Sequence, residues 1–190
     1  MIRSSADKLL IFLISLVIPL TAFALLSDRA FEGVNLATGQ ATRIELKKAK
    51  TATVAVFLSA KCPCSIGHEA TLKELYEKFQ PKGFQFIGIN SNAQEKVETS
   101  RPHFSAVSLG FPVIRDENSQ IANELGALKT PHAFVISPQG DILFSGGVDD
   151  CKTGQKPKRQ YLRDALDSVS RNLKPDPNEV KTLGCAIERP

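Results

Sequence analysis

The sequence predicts an α/β protein in which helices cover both faces of a mixed central sheet. Between residues 52 and 125, runs rich in β-branched and aromatic residues alternate with stretches whose apolar residues recur at helical spacing. Two further strand-like runs, 133–136 and 141–145, flank a Pro-Gln-Gly turn and predict a β-hairpin. An amphipathic stretch after the hairpin predicts a last helix. Alternating strands and helices followed by a hairpin predict a sheet with both parallel and antiparallel strands.

The first predicted strand starts at Ala52 and ends abruptly at a Cys-Pro-Cys sequence, residues 62–64, where a helix begins. Ser65 is a residue type that caps helix N-termini, and Pro81 and Gly83 end the helix. The apolar face of this helix has the spacing i, i+3, i+4, i+7, in Leu72, Leu75, Tyr76 and Phe79. Both cysteines are therefore expected in a strand-to-helix turn.

The later elements follow in chain order. The pattern predicts a buried strand at 84–90, a helix at 92–109 that Pro102 kinks or restarts, a short strand at 111–115 and a short helix at 119–125. After the hairpin, the last helix has an apolar stripe made of Leu162, Ala165, Leu166, Val169 and Leu173. Residues 25–173 are thus expected to form one domain, and residues 174–190 an irregular C-terminal tail.

The first 24 residues have the pattern of a secretory signal. Arg3 and Lys8 precede an apolar run, and an Ala-Phe-Ala cleavage pattern follows at 22–24. Residues 9–26 are also just long and apolar enough to act as an uncleaved membrane anchor. Both alternatives predict export to a bacterial periplasm or to the cell surface, and only the second keeps the protein at the membrane.

Composition and charge exclude several classes of function. The 190 residues carry a net charge of +4, and the basic residues are spread among acidic ones. This balance argues against nucleic-acid binding, and the basic stretch 152–159 is predicted to be a solvated loop. Because the chain lacks a phosphate-cradling glycine loop, no organic cofactor is expected.

The thiols of Cys62 and Cys64 are the main candidates for chemistry. Unpaired backbone N–H groups at a helix start favour thiolate over thiol, and the thiolate is the reactive form. Lys61 adds a nearby positive charge. Cys62 is therefore predicted to be the attacking nucleophile and Cys64 the resolving thiol. Pro63 fixes φ near −65° and makes a turn that joins the two sulfurs plausible.

Cys151 and Cys185 complete an even set of four cysteines, as is usual for disulfides in an oxidising compartment. Sequence alone leaves all pairings open. Since Cys151 and Cys185 flank the last helix, a structural disulfide between them that fixes the tail is the first prediction. In the alternative, the tail carries Cys185 to the Cys62 turn as an additional resolving thiol.

Several motifs together resemble the thioredoxin-fold proteins of the redoxin group, which are similar to alkyl hydroperoxide reductase and thiol-specific antioxidant. They are the strand before Cys62, the strand 84–90, the run 111–116 and Lys129-Thr130-Pro131-His132 before the hairpin, and the resemblance spans about 31–173. It implies a thioredoxin-like fold. It also implies that Pro131 follows a cis peptide bond opposite the cysteines, where backbone groups help to bind a substrate's extended chain.

Two departures from that group bear on function. Thioredoxins have two residues between their cysteines, whereas Pro63 alone separates them here. Peroxiredoxins have Thr or Ser three residues before the reactive cysteine, as Ser59 is here, but Thr130-Pro131 stands where they usually have an arginine. The resemblance therefore favours thiol–disulfide chemistry over peroxidase activity.

The function expected from the sequence is an exported thiol–disulfide oxidoreductase. Its partners would be protein thiols or disulfides, or a small oxidant, together with an unidentified redox partner. A peroxiredoxin-like thiol peroxidase, a non-catalytic thioredoxin-like binding module and a copper-delivery protein are the alternatives. In the last of these, Cys62, Cys64 and His132 would bind the metal, since thiolates and imidazole suit copper.

The other two histidines are weaker candidates. His68 lies one helical turn after Cys64, where it would either stabilise a thiolate or face the solvent. His103, beside Pro102, is expected at the surface.

Overall fold

The computed structural model describes residues 29–190. Its nine strands are β1 (Ala30–Val34), β2 (Ala41–Glu45), β3 (Ala52–Phe57), β4 (Phe84–Asn90), β5 (Val113–Arg115), β6 (Lys129–Thr130), β7 (His132–Ile136), β8 (Ile142–Gly146) and β9 (Cys185–Ala186). Its five α-helices are α1 (Pro63–Gly67), α2 (Glu69–Phe79), α3 (Val97–Val107), α4 (Gln120–Leu125) and α5 (Tyr161–Ser170).

A five-stranded mixed sheet forms the centre, in the order β5-β4-β3-β7-β8. Strands β3, β4 and β5 are parallel, and β7 is antiparallel to both β3 and β8. Two small antiparallel pairs, β1 with β2 and β6 with β9, lie outside this sheet. The α/β fold class with a mixed central sheet, predicted from the alternation of strands and helices, is confirmed.

Each face of the central sheet supports its own apolar core. On one face, side chains of β3 such as Val54 and Val56 pack with α2, α3 and α5. On the other, Ala55 and Phe57 pack with α4, with β1 and with the C-terminal segment through Ile187. Alternation along β3 explains this division, because successive side chains of a strand point to opposite faces.

Local details differ from the sequence-based expectation in several places. Ser65 lies inside α1 rather than at its start, because the helix begins at Pro63, a residue favoured in the first helical turn. Helix α3 starts at Val97 and continues through Pro102 without interruption. Leu173 lies beyond the end of α5 and is exposed, so the apolar stripe stops at Val169. The hairpin of β1 and β2 was not expected, although its connection contains two typical turn residues, Asn35 and Gly39.

The predicted secretory signal at 1–24, or the alternative membrane anchor at 9–26, lies outside the described residues. Within residues 29–190, no helix combines the length and apolar character needed to span a bilayer.

In the C-terminal tail, residues 174–190, the structure has no helix and one short strand, β9. Strand β9 pairs with β6, with Cys185 opposite Thr130 and Ala186 opposite Lys129. This pairing brings the end of the chain to the turn that contains Cys62.

Candidate active site

Cys62 occupies the position immediately before α1, and its side chain is only 3% exposed. Two neighbouring serines fix the turn. The hydroxyl of Ser59 accepts hydrogen bonds from the backbone N–H groups of Lys61 and Cys62, both at 3.1 Å. The hydroxyl of Ser65 in turn accepts the N–H of Ser59 at 3.0 Å. Hydrogen bonds within the segment 59–65 therefore fix the loop between β3 and α1, and they define the position of Cys62.

A disulfide joins Cys62 to Cys185 across 123 residues of sequence, with the two Cα atoms 6.0 Å apart. Cys64 is free and partly exposed. The three sulfur atoms of Cys62, Cys64 and Cys185 all lie within 4.8 Å of one another. Cys64 is thus close enough to exchange with the disulfide, and its role as a resolving thiol stays a prediction.

The loop that contains Pro131 lies against the same sulfur atoms. The Thr130–Pro131 peptide bond is cis, as the family resemblance implied. The sulfur of Cys62 is 3.2 Å from the carbonyl oxygen of Thr130. The hydroxyl of Thr130 is buried and has no hydrogen-bond partner among the described residues. Pro131 is therefore placed opposite Cys62, as expected.

Cys151 does not form the disulfide with Cys185 that the sequence analysis put first. The pairing of β9 with β6 holds Cys185 at Cys62, whereas Cys151 is free in the loop after β8. Backbone N–H groups point at its sulfur, chiefly those of Thr153 and Lys156, and they lower the pKa of the Cys151 thiol to about 7. The loop thus holds a free thiol with a lowered pKa, outside the three-sulfur cluster.

His68 is buried and contacts neither a thiolate nor the solvent, contrary to both expectations. Its Nδ1 lies 2.6 Å from the carbonyl oxygen of Cys64, and its Nε2 lies 3.0 Å from Oδ1 of Asp149. Asp149 is 3% exposed and also accepts the backbone N–H of Cys151. Both ring nitrogens of His68 therefore face hydrogen-bond acceptors. The pair joins helix α1 to the loop that follows β8.

His132 does not join the sulfurs, so the copper site of the alternative hypothesis, made of Cys62, Cys64 and His132, is not assembled. Its ring stacks on Phe134 with the centroids 4.5 Å apart, and burial lowers the pKa of His132 to about 4. Among residues 29–190, the group with metal-ligand spacing consists of Cys62, Cys64 and Cys185. Three thiolates suit a soft metal ion, but two of these sulfurs are joined in the disulfide.

His103 is a partly exposed residue, as expected, and its Nε2 lies 2.6 Å from a carboxylate oxygen of Glu69. It joins α3 to α2 and takes no part in the sulfur cluster.

Glu95 supports the turn that contains Cys62, a role that was not predicted from the sequence. This carboxylate is 1% exposed and accepts the backbone N–H of Ala60 at 2.5 Å and the side-chain amide of Asn90 at 3.0 Å. Arg115 donates to the Asn90 side chain and to the backbone carbonyl of Glu95. A single acidic residue in a polar loop gives no local signal, because its burial depends on packing between distant segments.

We expect Cys151 to react with iodoacetamide faster than Cys64 in the oxidised protein at neutral pH. The thiolate is the nucleophile, and with a pKa of about 7 Cys151 is half ionised there. Its alkylation rate, followed by mass spectrometry against pH, should rise through a midpoint near 7. A midpoint near the ordinary cysteine value of about 8.5 would show that the backbone N–H groups do not stabilise the thiolate.

The fold and this site define a thioredoxin-like redoxin, a protein with cysteines at the start of a helix and a cis-proline opposite them. The chain belongs to the AhpC/TSA family, whose model matches residues 27–145. No curated protein matches the chain.

Solved structures support the same fold. The chain is similar to an uncharacterized conserved protein from Geobacillus kaustophilus, with 25% identity, a TM-score of 0.76 and coverage of 86% of this chain and 90% of the other. A hypothetical protein from Sinorhizobium meliloti 1021 also has 25% identity, with a TM-score of 0.75 and coverage of 86% and 92%. A putative thiol:disulfide interchange protein from Chlorobium tepidum has 21% identity, a TM-score of 0.52 and coverage of 62% and 80%.

Proposed function

We propose that this protein is a thiol–disulfide oxidoreductase in which Cys62 and Cys185 alternate between a dithiol and a disulfide. The observation that carries the proposal is the disulfide itself, which joins the cysteine before α1 to the tail strand beside the Pro131 loop. A disulfide that only stabilises a fold does not require a third thiol nearby. Here the sulfur of Cys64 lies within 4.8 Å of both disulfide sulfurs.

The reaction uses only thiols and disulfides. In the reduced protein, the Cys62 thiolate attacks one sulfur of a substrate disulfide, a mixed disulfide forms, and the other substrate sulfur leaves as a thiolate. The Cys185 thiolate then attacks the sulfur of Cys62, which releases the second substrate thiolate and forms the Cys62–Cys185 bond. Two electrons pass to the substrate, and a dithiol partner returns them.

The experiment measures reduction of insulin disulfides with a dithiol as electron donor. Cys62→Ser should abolish turnover, because it removes the nucleophile. Cys185→Ser should slow turnover by about tenfold or more and accumulate mixed disulfides at Cys62, since the resolving thiol is lost. Cys151→Ser is the matched control and should turn over like the wild type. Full turnover in Cys62→Ser would overturn the proposal.

A thiol peroxidase is the second candidate, favoured by the AhpC/TSA family match and by Ser59, three residues before Cys62. There, Cys62 would attack a hydroperoxide to give a sulfenic acid and an alcohol, and Cys185 would displace the hydroxyl as water while forming the disulfide. The side chain of Arg115 donates hydrogen bonds to Asn90 and to the backbone carbonyl of Glu95, and these contacts direct it to those residues and not to the sulfurs. Hydroperoxide consumption faster than insulin reduction would favour this candidate.

The proposed oxidoreductase acts after export, on the strength of the signal or anchor pattern in the first 24 residues. An exported protein meets disulfides more often than a cytosolic one. Cell fractionation with N-terminal sequencing of the mature chain tests this. Recovery of the full chain in the cytosol would contradict it.

A further inference from the structure

We propose that the reduced protein binds one Cu(I) ion through the thiolates of Cys62, Cys64 and Cys185. The Cys62–Cys185 disulfide excludes the ion, so the site exists only in the reduced protein. Its third ligand is a cysteine of the tail and not His132, which distinguishes it from the copper hypothesis drawn from the sequence. The site uses the sulfurs of the proposed oxidoreductase, but metal binding requires only that the disulfide can be reduced.

The backbone brings the three cysteines together. Cys62 stands immediately before α1, and Cys64 lies in the first turn of that helix. The pairing of β9 with β6 places Cys185 opposite Thr130, whose carbonyl oxygen is 3.2 Å from the sulfur of Cys62. A Cβ atom at Gly184 would collide with the same carbonyl, so glycine at this position permits the tail strand to come close. The fold thus supplies cysteines from two distant segments to one place.

Contacts other than the disulfide hold the tail against the domain. Ile187 is 5% exposed and packs into the apolar core on the α4 side of the sheet. Its N–H donates to the carbonyl of Leu128 at 2.9 Å, and the carbonyl of Glu188 accepts the N–H of Ala93 at 2.8 Å. Since these contacts do not involve sulfur, Cys185 stays beside the other two cysteines when the disulfide is reduced.

The spacing of the sulfurs fits a single ion. All three lie within 4.8 Å of one another. Metal–thiolate bonds of about 2.3 Å place three sulfurs in a trigonal plane about 4.0 Å apart. The Cα atoms of Cys62 and Cys185 are 6.0 Å apart, so rotations of their side chains reach this separation once the S–S bond is broken.

The donor set selects a soft ion with three ligands. Thiolates favour soft ions, Cu(I) among them, over hard ones such as Mg²⁺. Among residues 29–190, no histidine or carboxylate joins the three sulfurs as a fourth ligand. Both ring nitrogens of His68 face acceptors, and His132 stacks on Phe134. Structural zinc sites almost always have four protein ligands, whereas Cu(I) is stable with three thiolates, so the site favours Cu(I).

Loading of the site follows from reduction of the disulfide. A dithiol partner supplies two electrons and two protons, leaves as a disulfide, and converts Cys62 and Cys185 to thiols. Cu(I) then binds, the three thiols lose their protons to the solvent, and copper keeps its oxidation state. Cys64 and Cys185 are partly exposed, which gives the ion access to the buried Cys62. Because the ion binds only the reduced protein, it opposes re-formation of the disulfide by mass action.

The test uses the full chain, reduced with a phosphine and freed of the reductant under argon. Cu(I), supplied as its acetonitrile complex, is titrated in competition with bathocuproine disulfonate, whose copper complex is coloured. The reduced protein should bind one Cu(I) per chain, and the oxidised protein should leave all copper with the competitor. X-ray absorption of the loaded protein should show three sulfur ligands.

Cys64→Ser and Cys185→Ser should each weaken Cu(I) binding by about 100-fold or more, since residues that only support metal ligands already account for about 10–100-fold. Cys151→Ser and His132→Ala are the matched controls and should bind like the wild type. Circular dichroism of the reduced variants verifies that they are folded. A measurement on the unsubstituted chain is independent of that check, because Cu(I) should protect Cys62, Cys64 and Cys185 from iodoacetamide and leave Cys151 reactive.

Unchanged affinity in Cys185→Ser, loss of the ion in His132→Ala, or alkylation of all four cysteines at unchanged rates would each refute the inference. Insulin reduction, measured on the same preparations without copper, separates this result from the proposed function. If the protein reduces insulin but does not bind Cu(I), only the copper site is wrong. If it binds Cu(I) but does not reduce insulin, the copper site stands and the oxidoreductase proposal fails.

Discussion

His68→Ala is expected to lower the free energy of unfolding by about 3–5 kcal/mol. The substitution leaves the Asp149 carboxylate buried without the imidazole that now lies 3.0 Å from it. One oxygen of Asp149, Oδ2, already has no hydrogen-bond partner among the described residues, so the backbone N–H of Cys151 at Oδ1 would be the remaining contact of the carboxylate. Urea unfolding at neutral pH, followed by circular dichroism with the disulfide intact, measures the loss.

The matched control is Lys78→Ala, which removes one half of an ion pair with Asp167 on the surface. Because both of these side chains are well exposed, the expected loss is below about 1 kcal/mol. Replacing His68 and Asp149 together by leucine should recover most of the stability lost in His68→Ala, since no buried charge then remains unpaired. A loss in His68→Ala no greater than that of the control would show that the buried pair contributes little.

The same pair also matters for the site. His68 contacts the carbonyl oxygen of Cys64, and Asp149 accepts the N–H of Cys151. The loop packs directly on α1, where a side chain at Gly67 would collide with the backbone of Thr153. The buried pair therefore fixes the position of Cys64 relative to the loop that lowers the pKa of Cys151. Its loss should raise the midpoint of Cys151 alkylation toward the ordinary cysteine value.

The elements that could be predicted from sequence are those with a local signal. Strand β4 matches its apolar run, residues 84–90, from end to end. The Cys-Pro-Cys sequence predicted a strand-to-helix turn. In both cases the residues that determine the structure are neighbours in the chain. The position of Pro131 opposite that turn was instead implied by the family resemblance.

The pairing of the cysteines could not be predicted in the same way. Cys62 and Cys185 are 123 residues apart, and their contact depends on where the tail adds to β6. The sequence signal that favours this contact is Gly184, which permits close approach to the Thr130 carbonyl, but an isolated glycine in a tail has many explanations. Because Cys151 and Cys185 flank the last helix, Cys151 was the expected partner, but the pairing of β9 with β6 places Cys185 at Cys62.

Buried polar residues were missed or misplaced for a related reason. His68 was expected to face a thiolate or the solvent, because a helix position one turn after Cys64 indicates nothing about what packs over it. Glu95 lies in the stretch 92–109, which was predicted to be a helix, and nothing in that pattern indicated that its carboxylate is almost completely buried. Burial of such groups depends on hydrogen-bond partners supplied by distant segments, which periodicity does not reveal.

Glu95→Ala should destabilise the protein by about 2–4 kcal/mol, since it leaves two buried donors without their acceptor. These are the backbone N–H of Ala60 and the side-chain amide of Asn90. Because Ala60 is two residues before Cys62, the turn that positions the reactive sulfur should also become less ordered. We therefore expect the reaction of Cys62 with a small disulfide to slow by about tenfold in protein that is still folded.

Glu95→Gln is the matched control for this substitution. It retains an acceptor for Ala60, and it should cost less stability than alanine because only the contact with Asn90 is disturbed. Urea unfolding gives the stability, and thionitrobenzoate release at Cys62 gives the rate under conditions in which each variant is folded. If Glu95→Ala were destabilised while Cys62 reacted at the wild-type rate, Glu95 would support the fold but not the geometry of the Cys62 turn.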